Sequence, residues 1–306
     1  MRIAHFSDLH LLSLTGVGPL RFLNKRFTGY ANLRLKRGSI HRAAYVRAIA
    51  REITEQAVDH VVITGDLTNL ALEPEFELAR QVLRDDLGLE AHQVSVVPGN
   101  HDLYTGGSQR TRRFATYFAD YITSDLPLLG ASVAAGQFPF VKLRGPVAII
   151  GLSSAVTRLP FVAAGVLGRS QLHALARILE HDEVKKRTPI IAIHHPIHNP
   201  RSWLKSLLEG LSDAKELRAL LQVVPRGLVL HGHLHRRIQR DLETTGGKVS
   251  SVGATSASLH HDDAARSAGF NLYEVNDGGH VTDIGAHVFE PEGKTFRVQR
   301  VPTHAS

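Results

Sequence analysis

The sequence predicts an α/β fold, with a mixed sheet or two packed sheets flanked by helices. Three observations carry this. Apolar strand-like runs alternate with amphipathic helical stretches in the first two thirds of the chain, whereas the last third is mostly strand-like. The 306 residues, 43% of them hydrophobic, suffice for a sizeable core. No repeat, low-complexity tract or clear linker divides them, so one domain over residues 1–306 is expected.

The elements follow in order. "RIAHFSD" alternates and then stops at polar residues, as a short first strand does. Ser39 is a candidate cap for a helix through about Ala57, whose apolar positions Ala44, Tyr45, Ala48, Ile49 and Ile53 recur at helical spacing. "HVVITGD" reads as a buried strand. Pro74 suits the first turn of a helix to about Leu87. "QVSVVPGNHD" is a strand running into a turn, and residues 111–123 read as helical. "FPFVKL" and "VAIIGLSS" are adjacent strands separated by Gly145-Pro146. A helix over 170–182 has Ser170 as its cap candidate. "PIIAIHH" is a strand, 213–222 a helix and "GLVLHGH" a strand; "KVSSVG", "FNLYEV", "HVTDIGAHVF" and "TFRVQRV" complete the strand-rich end.

Composition excludes several chemistries. There is no cysteine, hence no disulfide, no thiolate metal site and no cysteine nucleophile. A transition-metal site here must use His, Asp, Glu or Asn, and the nineteen histidines favour metal or acid–base chemistry only mildly. The N-terminus does not read as a signal peptide, and no apolar run is long enough to span a membrane, so a cytoplasmic protein is expected.

Five apolar runs end in chemically related residues: Asp8-x-His10, Gly65-Asp66, Gly99-Asn100-His101-Asp102, His194-His195-Pro196 and Gly232-His233-Leu234-His235. Ligands of α/β sheets gather beyond the carboxyl ends of strands, so these side chains are placed to converge. Singly, each has an ordinary reading: Gly-Asp after a strand is usually a turn, and an isolated D-x-H says little.

The ordered set "FSDLH", "TGDL", "PGNHD", "HHPI" and "GHLH" resembles the calcineurin-like metallophosphoesterase family. The resemblance spans roughly residues 1–260. It implies two packed mixed β-sheets flanked by helices, with a strand-rich C-terminal extension after about 260, and a dinuclear metal site. Carried over by position, Asp8, His10 and His235 would hold one ion with Asp66. Asn100, His194 and His233 would hold the second, with Asp66 bridging. Oxygen and imidazole donors suit manganese, iron or zinc. The implied reaction is hydrolysis of a phosphate ester by in-line attack of metal-bound hydroxide. His101 would contact the phosphate and protonate the leaving oxygen, and Asp102 would orient that imidazole.

The remaining histidines carry less. His195 neighbours an implied ligand and faces the other way on a strand, so a structural role is expected. His5 is expected to pack. His198 lies in a loop where it could touch substrate, His260 and His261 could rim the site, and His231 shares strand parity with His233 and His235 as a supporting residue.

The formal charge is +7, of which residues 20–37 supply +6 through Arg21, Lys25, Arg26, Arg34, Lys36 and Arg37 with no acid. Leu20, Leu23, Phe27 and Tyr30 or Ala31 share one helical face of this stretch within a basic amphipathic insertion at about 11–37. It reads as an ordinary packed helix with solvated cations, as a contact for anionic lipid or a membrane surface, or as a wall that attracts an anionic substrate. Aromatic residues are few, so nucleic acid is disfavoured. Within the family the motif pattern is closest to the bacterial cyclic-nucleotide phosphodiesterase-like branch, which implies a phosphodiester substrate. The alternatives are a membrane-associated nucleotide-sugar-lipid pyrophosphatase resembling the UDP-diacylglucosamine hydrolases, placed at the inner membrane face, a nuclease, and a non-catalytic binding scaffold. Oligomeric state is not legible.

Overall fold

The computed structural model describes residues 1–22, 26, 42–200 and 202–303. The strands are β1 (Arg2–Phe6), β2 (His60–Ile63), β3 (Val94–Val96), β4 (Ala131–Val133), β5 (Gly136–Phe138), β6 (Phe140–Arg144), β7 (Val147–Gly151), β8 (Thr188–Ala192), β9 (Arg226–His231), β10 (Ile238–Thr244), β11 (Gly247–Gly253), β12 (Gly269–Val275), β13 (Val281–Glu290) and β14 (Thr295–Arg300). They form two six-stranded mixed sheets, ordered β14-β13-β12-β1-β2-β3 and β10-β11-β9-β8-β7-β6, with β4 and β5 as a separate hairpin. The strand-rich end is integral to the first sheet. β12 pairs antiparallel with β1, Ile3 opposite Tyr273, while β1 pairs parallel with β2 on its other side.

Period-two alternation explains how the second sheet divides two cores. Val147 and Ile149 of β7, Ile190 and Ala192 of β8, and Leu228 and Leu230 of β9 enter the core shared with the first sheet. The intervening Ala148, Ile150, Ile191 and Val229 turn to the opposite face and pack with Leu175, Ile178, Leu217 and Leu221 of the helices Arg169–Glu180 and Ala214–Leu221. Both faces are thus covered, which is why these runs read as continuously apolar. The helix Ala43–Glu55 buries Tyr45, Val46, Ile49, Ala50 and Ile53 in the first core.

Several expectations shift. The helix expected over 111–123 is broken: Arg112, at φ 49°, separates the short helix Gly106–Arg110 from Arg113–Phe118 and a final 3₁₀ turn. Ser170 lies inside its helix rather than capping it. The cap position is Gly168, and the Asp213 carboxylate accepts from its N–H at 2.8 Å. β10 escaped the pattern because "IQRDLET" is an edge strand with largely polar side chains. Ser39, Leu23, Lys25, Phe27, Tyr30, Ala31, Arg34, Lys36 and Arg37 lie outside the described residues. Residues Pro19–Phe22 form a 3₁₀ turn. Arg26 is not solvated; it is buried and donates to the Leu70 and Ala71 carbonyls at 2.8 and 3.0 Å.

Glu75, in the first turn of the helix Glu73–Gln81, gives a pH-dependent term. Burial pushes its carboxyl up to about 8, against the Leu72 and Leu70 N–H groups, which donate to one oxygen at 3.0 and 2.9 Å. Folding therefore favours its protonated form. Its contribution is complete below the ordinary value of 4.5 and is lost as pH rises toward 8. Urea unfolding of Glu75→Gln should lose less stability than the wild type between pH 5 and 8, because the amide cannot ionise. Parallel pH profiles for the two proteins would contradict this.

Candidate metal centre

Each site motif sits just past the carboxyl end of its strand: Asp8 and His10 after β1, Asp66 after β2, Asn100 and His101 after β3, His194 after β8, and His233 and His235 after β9. The backbone there is strained. Asp8, His10, Asp66, His233 and His235 all have φ between 45° and 67°, a region that non-glycine residues seldom enter. Loop-to-loop hydrogen bonds hold the conformation: Asp8 N–H to the Gly65 carbonyl (2.9 Å), His10 N–H to that of Asp66 (2.9 Å) and His233 N–H to Asp8 Oδ2 (3.0 Å). The last of these joins the two sheets across the site.

Two glycines permit this approach. A Cβ on Gly99 would collide with the Asp66 carboxylate, and one on Gly232 with Ser7 Oγ and Asp8 Oδ2. Gly232→Ala should therefore displace the Asp8 carboxylate. A loss of roughly 10- to 100-fold in Mn²⁺ affinity is expected, as for disturbed ligand supports elsewhere. Calorimetric titration with Mn²⁺ checks it, and unchanged affinity would show that Asp8 is not a ligand.

Three overlapping donor groups result, each with ligand atoms within 4.8 Å of one another: Asp8, His10 and His235; His10, Asp66 and His101; Asp8, Asp66 and His194. His235 Nε2 lies 3.1 Å from Asp8 Oδ1 and 3.0 Å from His10 Nε2. His194 Nε2 lies 3.4 Å from Asp66 Oδ2 and 3.1 Å from Asn100 Oδ1. His233 stands beside this cluster, its ring centroid 5.1 Å from that of His194. Its Nε2 is on the Glu209 carbonyl at 2.9 Å, which leaves Nδ1 as the ring nitrogen for a ligand.

The electrostatics are those of a cation site. Burial raises the Asp66 carboxyl, but His194, His101 and His10 outweigh it and hold Asp66 well below the usual carboxylate range. Asp8 is likewise raised by burial and brought down further by His235 and His194. For His194 burial lowers the imidazole, and Asp66 and Asp8 reverse that, raising it to about 9. Burial and His194 push His233 down to about 4. Two buried carboxylates, Asp8 and Asp66, face imidazoles, with His235 Nε2 3.1 Å from Asp8 Oδ1 and His194 Nε2 3.4 Å from Asp66 Oδ2. This donor set fits a pair of borderline divalent cations.

One expected role is corrected. Asp102 is not the partner of His101 Nδ1, which lies 2.7 Å from the Asn69 carbonyl instead. The buried Asp102 carboxylate accepts from Gly99 N–H (2.9 Å), Thr68 N–H (3.0 Å), Thr68 Oγ1 (3.0 Å) and Leu67 N–H (3.3 Å), and so staples the loop after β3 to the loop after β2. Burial and the Asp66 charge push its carboxyl up to about 7, against those donors. The sequence could not assign Asn69 or Thr64, whose carbonyl holds His194 Nδ1 at 2.7 Å, because every residue carries a carbonyl. Tyr104 was also missed; it stacks on His101 at 5.4 Å with an interplanar angle of 15°.

The other histidines are placed as follows. His195 is buried between Ser154 Oγ and the Ala163 carbonyl, both at 2.7 Å. His5 is buried between Thr64 Oγ1 (2.9 Å) and the Tyr273 hydroxyl (3.2 Å). His231 is buried, its Nδ1 3.2 Å from the Gly232 carbonyl, and joins none of the donor groups. His198 lies with it around a small cavity that also includes Arg240 and Ser251. His260 is exposed against Tyr45, and His261 Nδ1 accepts from Asp263 N–H at 2.9 Å.

Strand ends, donor set and two-sheet fold together define a metal-dependent phosphoester hydrolase. The profile of calcineurin-like phosphoesterases matches residues 1–237, and the chain belongs to that family. Comparison with curated proteins by sequence finds no match. Among solved structures, a dimetal phosphatase from Danio rerio is similar over 99% of both chains, with 13% identity and a TM-score of 0.57. The purple acid phosphatase PPD1 from yellow lupin (Lupinus luteus) seeds aligns over all of this chain and 54% of its own, with 11% identity and a TM-score of 0.58. At such identities the likeness is one of fold.

Proposed function

We propose that the chain is a phosphodiesterase acting on a small, cyclic-nucleotide-like diester. Asp8, His10 and His235 would hold one divalent ion, Asn100, His194 and His233 a second, and Asp66 both. Such ions, when bound, supply Lewis-acid stabilisation of the charge that develops on phosphoryl oxygens during in-line displacement. The residues do the rest. The Asn69 carbonyl accepts from His101 Nδ1–H, which fixes the ring so that Nε2, in the imidazolium form, hands its proton to the leaving oxygen and leaves the neutral Nδ1–H imidazole. Tyr104 braces the ring from one face.

The observation that carries the diester is the charge around the carboxylates. The groups that act most strongly on the charge of Asp8 and Asp66 are histidines, together with Asp66 acting on Asp8. A monoester dianion calls for a guanidinium clamp, whereas a diester carries a single charge. The test compares bis-p-nitrophenyl phosphate with p-nitrophenyl phosphate in Mn²⁺, and then 2′,3′- with 3′,5′-cyclic nucleotides. A kcat/KM higher for the monoester would reject the proposal.

A further inference from the structure

We propose that Arg26, from the basic stretch 20–37, is a positioning residue for His101: it locks together the two loops that hold the imidazole. Asn69, whose carbonyl partners His101 Nδ1, opens an irregular segment, residues 69–72, after β2. Leu70, Ala71 and Leu72 are buried, and Ala71 is held at φ 51°, a region that non-glycine residues seldom enter. Such a conformation persists only where its surroundings over-determine it. Glu75, Arg113 and Arg26 do so. Glu75 Oε2 accepts from the Leu70 and Leu72 N–H groups at 2.9 and 3.0 Å. Arg113 Nη1 donates to the Ala71 carbonyl at 2.5 Å. Arg26 donates from Nε to the Leu70 carbonyl at 2.8 Å and from Nη2 to the Ala71 carbonyl at 3.0 Å.

Arg26 also reaches the second loop. Its Nη2 donates to Thr105 Oγ1 at 3.3 Å, past the end of β3. Thr105 follows Tyr104, whose ring stacks on His101, and its Oγ1 caps the helix Gly106–Arg110 by accepting from Ser108 N–H at 3.3 Å. One planar guanidinium therefore bridges the segment that supplies the hydrogen-bond partner of His101 and the residue next to its stacking partner. Without those donors the two carbonyls lose partners in a buried segment, and the backbone must shift to find others. A proton donor has to stay within hydrogen-bond reach of the leaving oxygen, so a small displacement of the ring costs rate.

Arg26→Met fills the site and removes the donors. On a diester with a sugar-hydroxyl leaving group it should lower kcat roughly 10- to 100-fold with little change in KM. Bis-p-nitrophenyl phosphate, whose leaving group departs without help, should lose much less. Bound Mn²⁺ should stay at the wild-type level, although Asn69 Nδ2 also donates to the His10 carbonyl. In a His101→Ala background, Arg26→Met should cost less than about twofold more, because the residue it acts through is gone. Arg26→Lys, which keeps the charge but not the planar fork, should show a smaller loss of the same pattern, and it carries the same cycle should the methionine variant not fold. An equal further loss in the His101→Ala background, with His101→Ala itself impaired, would overturn the role of Arg26 and leave that of His101 standing. So would wild-type kcat in a folded Arg26→Met, or a fall in its bound Mn²⁺, since Arg26 would then act through the metal ligands. A wild-type kcat for His101→Ala would instead remove the assignment of His101 on which this positioning rests.

Discussion

Asp66→Ala should lower kcat/KM on a phosphodiester by roughly four orders of magnitude or more, and bound Mn²⁺ should fall below two per chain. The size follows from its place at the overlap of two donor groups: Asp66 lies with His10 and His101 on one side and with Asp8 and His194 on the other. Groups that act as a unit lose nearly everything when one member goes. The carboxylate also accepts from His101 N–H at 2.8 Å, so alanine also releases the backbone of His101. Asp66→Asn separates the two effects, since the amide oxygen keeps that hydrogen bond while the bridging charge is lost. Steady-state kinetics with elemental analysis of the purified protein decide the matter. Activity of Asp66→Ala above about one per cent of wild type would remove the two-metal reading.

His101→Ala should lower kcat by about 10²- to 10⁴-fold, the range of a positioned acid or base, with metal content unchanged. The signature is leaving-group dependence. p-Nitrophenolate departs without help, so bis-p-nitrophenyl phosphate should lose least, and a diester with a sugar-hydroxyl leaving group should lose most. An equal loss on both would mean that His101 acts by contacting phosphate rather than by proton transfer. Because its partner is the backbone carbonyl of Asn69, Asp102→Asn should leave this dependence on leaving group in place.

The strand ends were legible because their signals are local. A buried strand must be apolar, and the polar residue at its end marks where the chain leaves the sheet. Two-residue periodicity separated His194 from His195, and the structure gives them different partners, Thr64 and Asn100 for one, Ser154 and Ala163 for the other. Parity could not separate His231 from His233. The chain turns at Gly232, after β9 ends at His231, and His233 enters the left-handed region.

The sequence by itself determined the donor types, their order along the chain, the absence of thiolate chemistry and the alternation of strands and helices. Each of these depends on residue identity at short spacing. Tertiary structure alone decided that Asp102 binds backbone amides of two loops rather than its neighbouring histidine. It alone decided that backbone carbonyls of Asn69 and Thr64 aim the imidazoles, and that Arg26 is buried. It also left Trp203, Leu204 and Leu207 of the helix Trp203–Glu209 exposed. The physical reason is common to all of these. A hydrogen-bond partner or a covering surface comes from residues distant in sequence, and a carbonyl or an uncovered leucine has no signature of its own until the fold places something, or nothing, against it.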